Sequence, residues 1–419
     1  MKLILTGTVT EESGLTSYID ECKTVVQEKN YDAPEASLCL PTDSELFSKV
    51  MDMVQKMKTP RLKYVFVIGI GGSNLGAKAV YDALFGYADV FHPERFPKLF
   101  FLDTVDPEFL SSLRDFMEKH IIHEDELVVA IISKSGGTTE TIVNAEIVMG
   151  QLKDRFPAWE KRCVVITDLH SKLHQEAQRL GIDFLEVPKK VGGRYSVLSP
   201  VGLFPLALLG IDIAKLLAGA EEMRERCLEH TKENPAQISS TFLFHHLTMG
   251  KNIHDSFFFH PELESLGKWY RQLMGESIGK EGGGITPIVT IGSIDLHSMA
   301  QLYLGGPKDK TTEFIYSNKS AEGAIPQEAL FPSLNTVSGK SISVVMSAIQ
   351  EGTSTAYQKQ QLPFFEIAFD EVNCFELGSY MQYKMMEIMY LAHLLKINAF
   401  DQPQVELYKI ETKRILLDE

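Results

Sequence analysis

A carboxylate set on the apolar side of a helix is the residue whose setting bears most directly on chemistry in this sequence. Leu266, Trp269, Tyr270 and Leu273 fall at helical spacing, and Glu276, seven residues beyond Trp269, projects from the same face. A carboxylate there is costly unless it is paired or put to use. Desolvation raises a carboxyl pKa toward the working pH, which is what a general base requires. The plainer alternative is a carboxylate reaching solvent at the helix end, for which Gly275 and Gly279 leave room. The glycines at 279 and 282–284 also suggest a loop shaped around a ligand.

Other stretches carry groups that could hold an anion. Ser133-Lys134-Ser135-Gly136-Gly137-Thr138-Thr139-Glu140-Thr141 collects five hydroxyls and two glycines at a helix start, after an apolar run. That is where α/β folds place ligands. Hydroxyls and amides bind phosphate without a cationic pocket, so we prefer this to a merely solvated Ser/Thr loop. Gly69-Ile70-Gly71-Gly72-Ser73 is a second glycine turn whose amides could approach an anion at a helix N-terminus. A ligand-free turn fits it equally well, and it is neither a Walker loop nor a G-x-G-x-x-G fingerprint. In Gly192-Gly193-Arg194-Tyr195-Ser196 the arginine could clamp an anion or stabilise an oxyanion. On its own a surface salt bridge explains it better.

Asp295-Leu296-His297 offers a histidine as a proton shuttle. Read as metal ligands, Asp295 and His297 lack further partners, so no metal is expected. His245, His246 and His254 show no partner pattern and read as ordinary helix or surface histidines. Asp401 suits the N-cap and Pro403 the first turn of a last helix. On that helix Gln402, Val405 and Lys409 share a face, with Gln402 and Lys409 roughly 10 Å apart, the span of a hexose phosphate. Without the other motifs, a solvated lysine would be the default.

These residues need elements to carry them. Tyr64–Ile70, Lys98–Val105, Leu127–Ser133, Cys163–Asp168 and Ile182–Val187 are continuous β-rich runs separated by polar or amphipathic stretches. Continuous runs predict strands buried on both faces, hence a parallel sheet between helices. Ile142, Ala145, Met149 and Leu152 have the spacing of a crossover helix. A second series of strand candidates follows at Ile288–Ile291, Glu313–Tyr316, Ser343–Ser347 and Phe364–Phe369, with helices at Ser265–Met274 and Tyr380–Leu395. A helix is also expected around Leu15–Glu28. The expected organisation is an N-terminal segment (1–45), two α/β/α sandwich subdomains with mainly parallel sheets (46–220 and 221–396), and a C-terminal helix within 397–419.

Composition narrows the class. A chain of 419 residues with 44% hydrophobic content suffices for two cores. The net charge of −15 argues against nucleic acid as a partner. Any phosphate site must then be locally positive or rich in donors. Cys22, Cys39, Cys163, Cys227 and Cys374 are scattered and odd in number, and read as reduced thiols of a cytosolic protein. The apolar run after Lys2 is too short for a signal peptide. The longest apolar stretch, Val201–Ile211, is about half a membrane span and reads as a core helix, so no membrane is expected as a partner.

Six stretches in order resemble the phosphoglucose isomerase family: IGIGGSNLG (68–76), SKSGGTTET (133–141), VGGRYSVLSPVG (191–202), GESIGK (275–280), GSIDLHSMAQLY (292–303) and INAFDQPQVELYK (397–409). The likeness covers nearly the whole chain from about residue 60. It implies two sugar-isomerase-type subdomains with the site between them, and isomerisation of glucose 6-phosphate to fructose 6-phosphate through a cis-enediolate, with no cofactor. Ser73, Ser133, Ser135 and Thr138 would bind the phosphate, with the Lys134 amide and Gln402 assisting. Gly72 and Gly193 would be among the substrate-binding positions, and Glu140 would help to order the site. Glu276 would move the proton, Arg194 would stabilise the enediolate, and His297 and Lys409 would open the ring. The resemblance further implies a homodimer in which His297 is supplied across the interface. Gln404 stands where the family usually has glycine, and Ile278 where polar residues are common. Two alternatives are an isomerase of mannose 6-phosphate or an amino-sugar phosphate, and a non-catalytic sugar-phosphate sensor. The presence of Glu276, His297 and Lys409 together weighs for catalysis.

Overall fold

The computed structural model describes residues 1–5, 13–319, 323–328, 330–334 and 336–418. Its strands are β1 Lys2–Leu5, β2 Tyr64–Ile68, β3 Lys98–Leu102, β4 Leu127–Ile132, β5 Cys163–Thr167, β6 Asp183–Glu186, β7 Ile253–Phe258, β8 Thr286–Ile291, β9 Lys310–Lys319 and β10 Phe364–Glu371. They form two five-stranded sheets. The first, β3-β2-β4-β5-β6, is parallel throughout. β2, β4 and β5 are buried along their whole length, which is why their sequences run apolar without alternation. The second sheet has the order β1-β10-β9-β7-β8. β7 to β10 are parallel and repeat the winding of the first sheet. β1 lies antiparallel to β10, with Lys2 opposite Ala368, so the start of the chain closes the edge of the far sheet.

The expected strand set needs correction in two places. β7, with the sequence IHDSFF, is a central strand that the pattern does not announce. His254, Asp255 and Ser256 are buried there, each with a cross-strand partner. His254 Nδ1 lies 2.9 Å from Thr311 Oγ1, Ser256 donates to Glu313 at 2.6 Å, and Thr290 donates to Asp255 at 2.5 Å. His254 is therefore neither a helix nor a surface histidine. Residues 343–347 are not a strand but lie in the helix Ile342–Lys359, whose N-cap Ser341 accepts from the Val344 amide at 3.2 Å.

The helix Cys374–Leu395 is buried without a break from Glu376 to Ala392 and packs on the helix Ile213–Leu228. The helix Glu264–Ile278 touches both β8 of the second sheet and the helix Leu75–Leu84 of the first half. It therefore bridges the two halves. A buried ionic group anchors it. Tyr270 donates to Glu387 at 2.5 Å, Tyr383 donates to the other oxygen of Glu387 at 2.9 Å, and Lys384 pairs with both Glu387 and Glu313. Removing one member would strand a buried charge. The stretch around Val201–Ile211 forms a fully buried helix, Pro200–Leu208. Among the described residues no helix is long and apolar enough to cross a membrane.

Candidate active site

The strand order reverses between β2 and β4, and at such a point the loops after the strands diverge to leave a crevice. The turn Gly69–Ser73 and the loop Ser133–Thr138 flank it. Thr138 is the N-cap of the helix Thr139–Arg155, yet its side chain caps no amide. The first amides of that helix are thus open to an anion. Ser133 Oγ lies 3.1 Å from Thr138 Oγ1, Ser135 is exposed, and Glu140 is half-buried in the first helical turn. From behind, Thr167 Oγ1 lies 2.7 Å from the Ser133 carbonyl and 3.2 Å from that of Lys134. The half-buried Lys134 ammonium is held below the usual lysine range, first by burial and then by the charges of Lys190 and Arg194. Asp168 opposes this. Burial pushes its carboxyl up to about 6, against the pull of Lys134 and Lys189.

The glycine turn connects this loop to the rest of the site. Gly71 has a φ of 61°, and a methyl group on it would lie 2.8 Å from Gln272 Nε2. A methyl on Gly72 would lie 2.1 Å from the carbonyl carbon of Gly193 and 2.5 Å from the Arg194 nitrogen. Here two turns touch backbone to backbone, which no side chain at position 72 would allow.

Arg194 is 2% exposed. Its Nη1 donates to Glu276 Oε2 at 3.3 Å and to Gln402 Oε1, Nη2 to the carbonyls of Ala399 at 2.6 Å and Asp401 at 3.1 Å, and Nε to Ser277 Oγ at 2.8 Å. Glu276 is thus not a carboxylate sunk in apolar surroundings. Its side chain is 30% exposed and ion-paired, because it lies at the edge of the buried face rather than in its middle. Its other oxygen accepts from Gln272 Nε2 at 2.9 Å. The residue type alone does not single out Gln272. Its signal was the spacing of four residues that stacks it on Glu276 along one helix face.

Of the other expected residues, Gln402 joins this cluster, while His297 and Lys409 stand on elements with contacts of their own. His297 closes a short turn, Ile294–Leu296, after the edge strand β8, and is exposed. The Asp295 carboxylate accepts from the Ile291 amide and the Ser298 hydroxyl, both at 2.8 Å, and so shapes that turn. The last helix begins at Val405, not at 401. Asp401 is no N-cap, since it pairs with Lys280 at 2.6 Å and accepts from Asn398. Gln402 therefore reaches Arg194 from the turn before the helix, while Lys409 pairs with Glu406 at 2.8 Å on the helix itself. Among the described residues no group of three or more His, Cys, Asp or Glu is placed to hold a metal ion.

Two doubly wound, mainly parallel sheets, with one helix touching both halves, define a sugar-isomerase-type α/β fold. The chain belongs to the phosphoglucose isomerase family, whose model it matches over residues 44–418. It is 35% identical to a glucose-6-phosphate isomerase of Methanocaldococcus jannaschii, over 82% of this chain and 81% of that one. It is also 35% identical to one of Carboxydothermus hydrogenoformans, over 85% and 79%. The crystal structure of a hypothetical protein from Thermus thermophilus superposes with a TM-score of 0.86 at 30% identity, over 96% of both chains. A glucose-6-phosphate isomerase structure from Chlamydia trachomatis, at 20% identity and a TM-score of 0.76, shares the fold; it covers 91% of this chain and 74% of that one.

Proposed function

We propose that this chain interconverts glucose 6-phosphate and fructose 6-phosphate. The observation that carries the reading is the meeting of Glu276 and Arg194 at 3.3 Å, beside a turn that touches Gly193 and Gln272. A base and an oxyanion donor stand at one point, as proton transfer next to a carbonyl requires. The phosphate takes the hydroxyls of Ser73, Ser133, Ser135 and Thr138, the Lys134 amide and the open amides after Thr138. His297 and Lys409 open the ring. Glu276 takes the proton from C2, the electron pair forms the C1–C2 double bond, and the charge that collects on O1 faces Arg194 Nη1. The O2 proton passes to O1 and Glu276 returns its proton to C1, giving the ketose. Gln272 keeps the carboxylate turned toward the substrate.

The protein acts as a homodimer in which His297 reaches the partner's site. Its exposure on an edge turn supports this, as does the C-terminal helix Val405–Asp418, which leaves Leu407, Tyr408, Ile410 and Leu416 uncovered. Five free thiols suit a reducing cytosol. The site lies where the subdomains 46–220 and 221–396 meet, with the Glu264–Ile278 helix between them. A coupled assay with fructose 6-phosphate, run beside mannose 6-phosphate, tests the reading. Turnover of fructose 6-phosphate with little of the mannose compound is expected, and no turnover of fructose 6-phosphate sinks it.

A further inference from the structure

A guanidinium has five N–H donors in a rigid planar fork, and in Arg194 all five have acceptors. Three are directed into the frame of the protein: Nε into the fully buried Ser277, and Nη2 into the carbonyls of Ala399 and Asp401. Only Nη1 faces groups of the site, Glu276 and Gln402. The same short stretch of chain organises all of this. Glu276 and Ser277 are neighbours at the end of one helix. Lys280, just beyond it, pairs with Asp401 at 2.6 Å and donates to the Asn398 carbonyl, so it ties down the turn whose carbonyls receive Nη2. Ser277 is also 3.1 Å from the Tyr195 hydroxyl, which lies 3.4 Å from the Ala399 carbonyl. With Tyr195 donating to Ala399 and Ser277 to Tyr195, the serine oxygen is free to accept from Nε.

We propose that Ser277, and through the 398–401 turn Lys280, are positioning residues that fix the plane of the Arg194 guanidinium so that Nη1 alone is presented to the reacting oxygen. The inference rests on the proton-transfer reading of the site. Neither residue touches substrate. Ser277→Ala leaves the Nε–H buried without an acceptor, and the fork is then free to tilt.

The test compares Ser277→Ala, Ser277→Thr and Lys280→Met. Ser277→Ala should lower kcat by about 10²-fold, the scale of a misplaced catalytic group, with KM for fructose 6-phosphate and the affinity for inorganic phosphate held within about threefold. Ser277→Thr keeps the hydroxyl and should recover most of kcat. Lys280→Met, acting at one remove, should cost about tenfold. Ser277→Cys, close to serine in volume and a poor acceptor, replaces the alanine variant if that does not fold, and should also lose kcat. A wild-type kcat in the alanine or cysteine variant overturns the proposal. So does an equal loss in the threonine variant, or a matching fall in phosphate affinity. A second readout needs no activity. The Arg194 Nε–H resonance, assigned by its disappearance in Arg194→Lys, should be protected from exchange in the wild type and lost in Ser277→Ala. If the wild type turns over no hexose phosphate, the functional reading fails, and this resonance still decides the role of Ser277.

Discussion

The two oxygens of Glu276 have different partners, Arg194 on one side and Gln272 on the other. That division suits the proposed role of Glu276 as a base held in one orientation that parts from its ion-pair partner when substrate arrives. In Glu276→Gln the shape persists but no proton can be accepted at C2. Turnover should fall by about 10²–10⁴-fold with KM for fructose 6-phosphate largely kept. Near-normal exchange of the C2 hydrogen with solvent, followed by NMR in deuterium oxide, would remove Glu276 from that role. Asp168 calls for a different experiment. Its carboxyl stands at about 6, above the ordinary 3.8, chiefly through burial. The folded protein therefore holds this proton more tightly than the unfolded chain. The contribution to stability is full below about pH 4 and is lost as pH rises through about 6. Asp168→Asn should raise the thermal midpoint at about pH 7.5, with a smaller gain at about pH 5. A gain that grows toward acid would show that the carboxylate is stabilised rather than penalised by its lysines.

At the scale of the element, the helix Thr139–Arg155 matters most. Its N-cap threonine leaves the first amides uncapped, an arrangement that lowers helix stability and suits the proposed phosphate site. Ser135→Ala and Thr138→Ala should each weaken binding of inorganic phosphate and of hexose phosphates alike, by about tenfold or more, since each removes a hydrogen bond to a charged group. Calorimetric titration with inorganic phosphate reads this directly. Normal phosphate binding with lost turnover would move the loop from binding to chemistry. The helix Glu264–Ile278 touches both halves, so Glu276, the proposed base, is carried on an element that each half helps to hold.

Over the whole molecule, the proposed homodimer draws on an exposed His297 after an edge strand and on a C-terminal helix that leaves Leu407, Tyr408, Ile410 and Leu416 exposed. An isologous pair would exchange identical segments. Mixing inactive Glu276→Gln with inactive His297→Ala then creates one site with both lesions and one with neither. Activity should return toward about a quarter of wild type for random pairing in equal amounts. Native mass spectrometry reports whether subunits have exchanged. Exchange without recovered activity would place Glu276 and His297 in the same subunit.

Local sequence determined the elements whose burial is uniform. Tyr64–Ile68, Leu127–Ile132 and Cys163–Thr167 are apolar because both faces are covered, and they could be read directly. The hydroxyl loop and the glycine turn were visible because their residue types serve backbone geometry that the chain sets up within a few residues. What pairing decides could not be read. β7 is a central strand although His254, Asp255 and Ser256 interrupt it, since their partners Thr311, Thr290 and Glu313 come from other strands. The helix Ile342–Lys359 contains a β-branched pair that looks like a strand, but Val344 is largely exposed and a serine cap starts the helix. Helical spacing places Glu276 on the apolar face, while the fold puts it at the rim against Arg194. Gln402 was assigned to a helix that begins three residues later, and only the tertiary structure turned its amide toward the guanidinium. Residue types and short spacings fixed which chemistry the chain could do. The contacts of residues 71 and 72 with 272 and 193, and of 194 with 276, 277 and 402, arise from segments distant in sequence, and only folding brings them together.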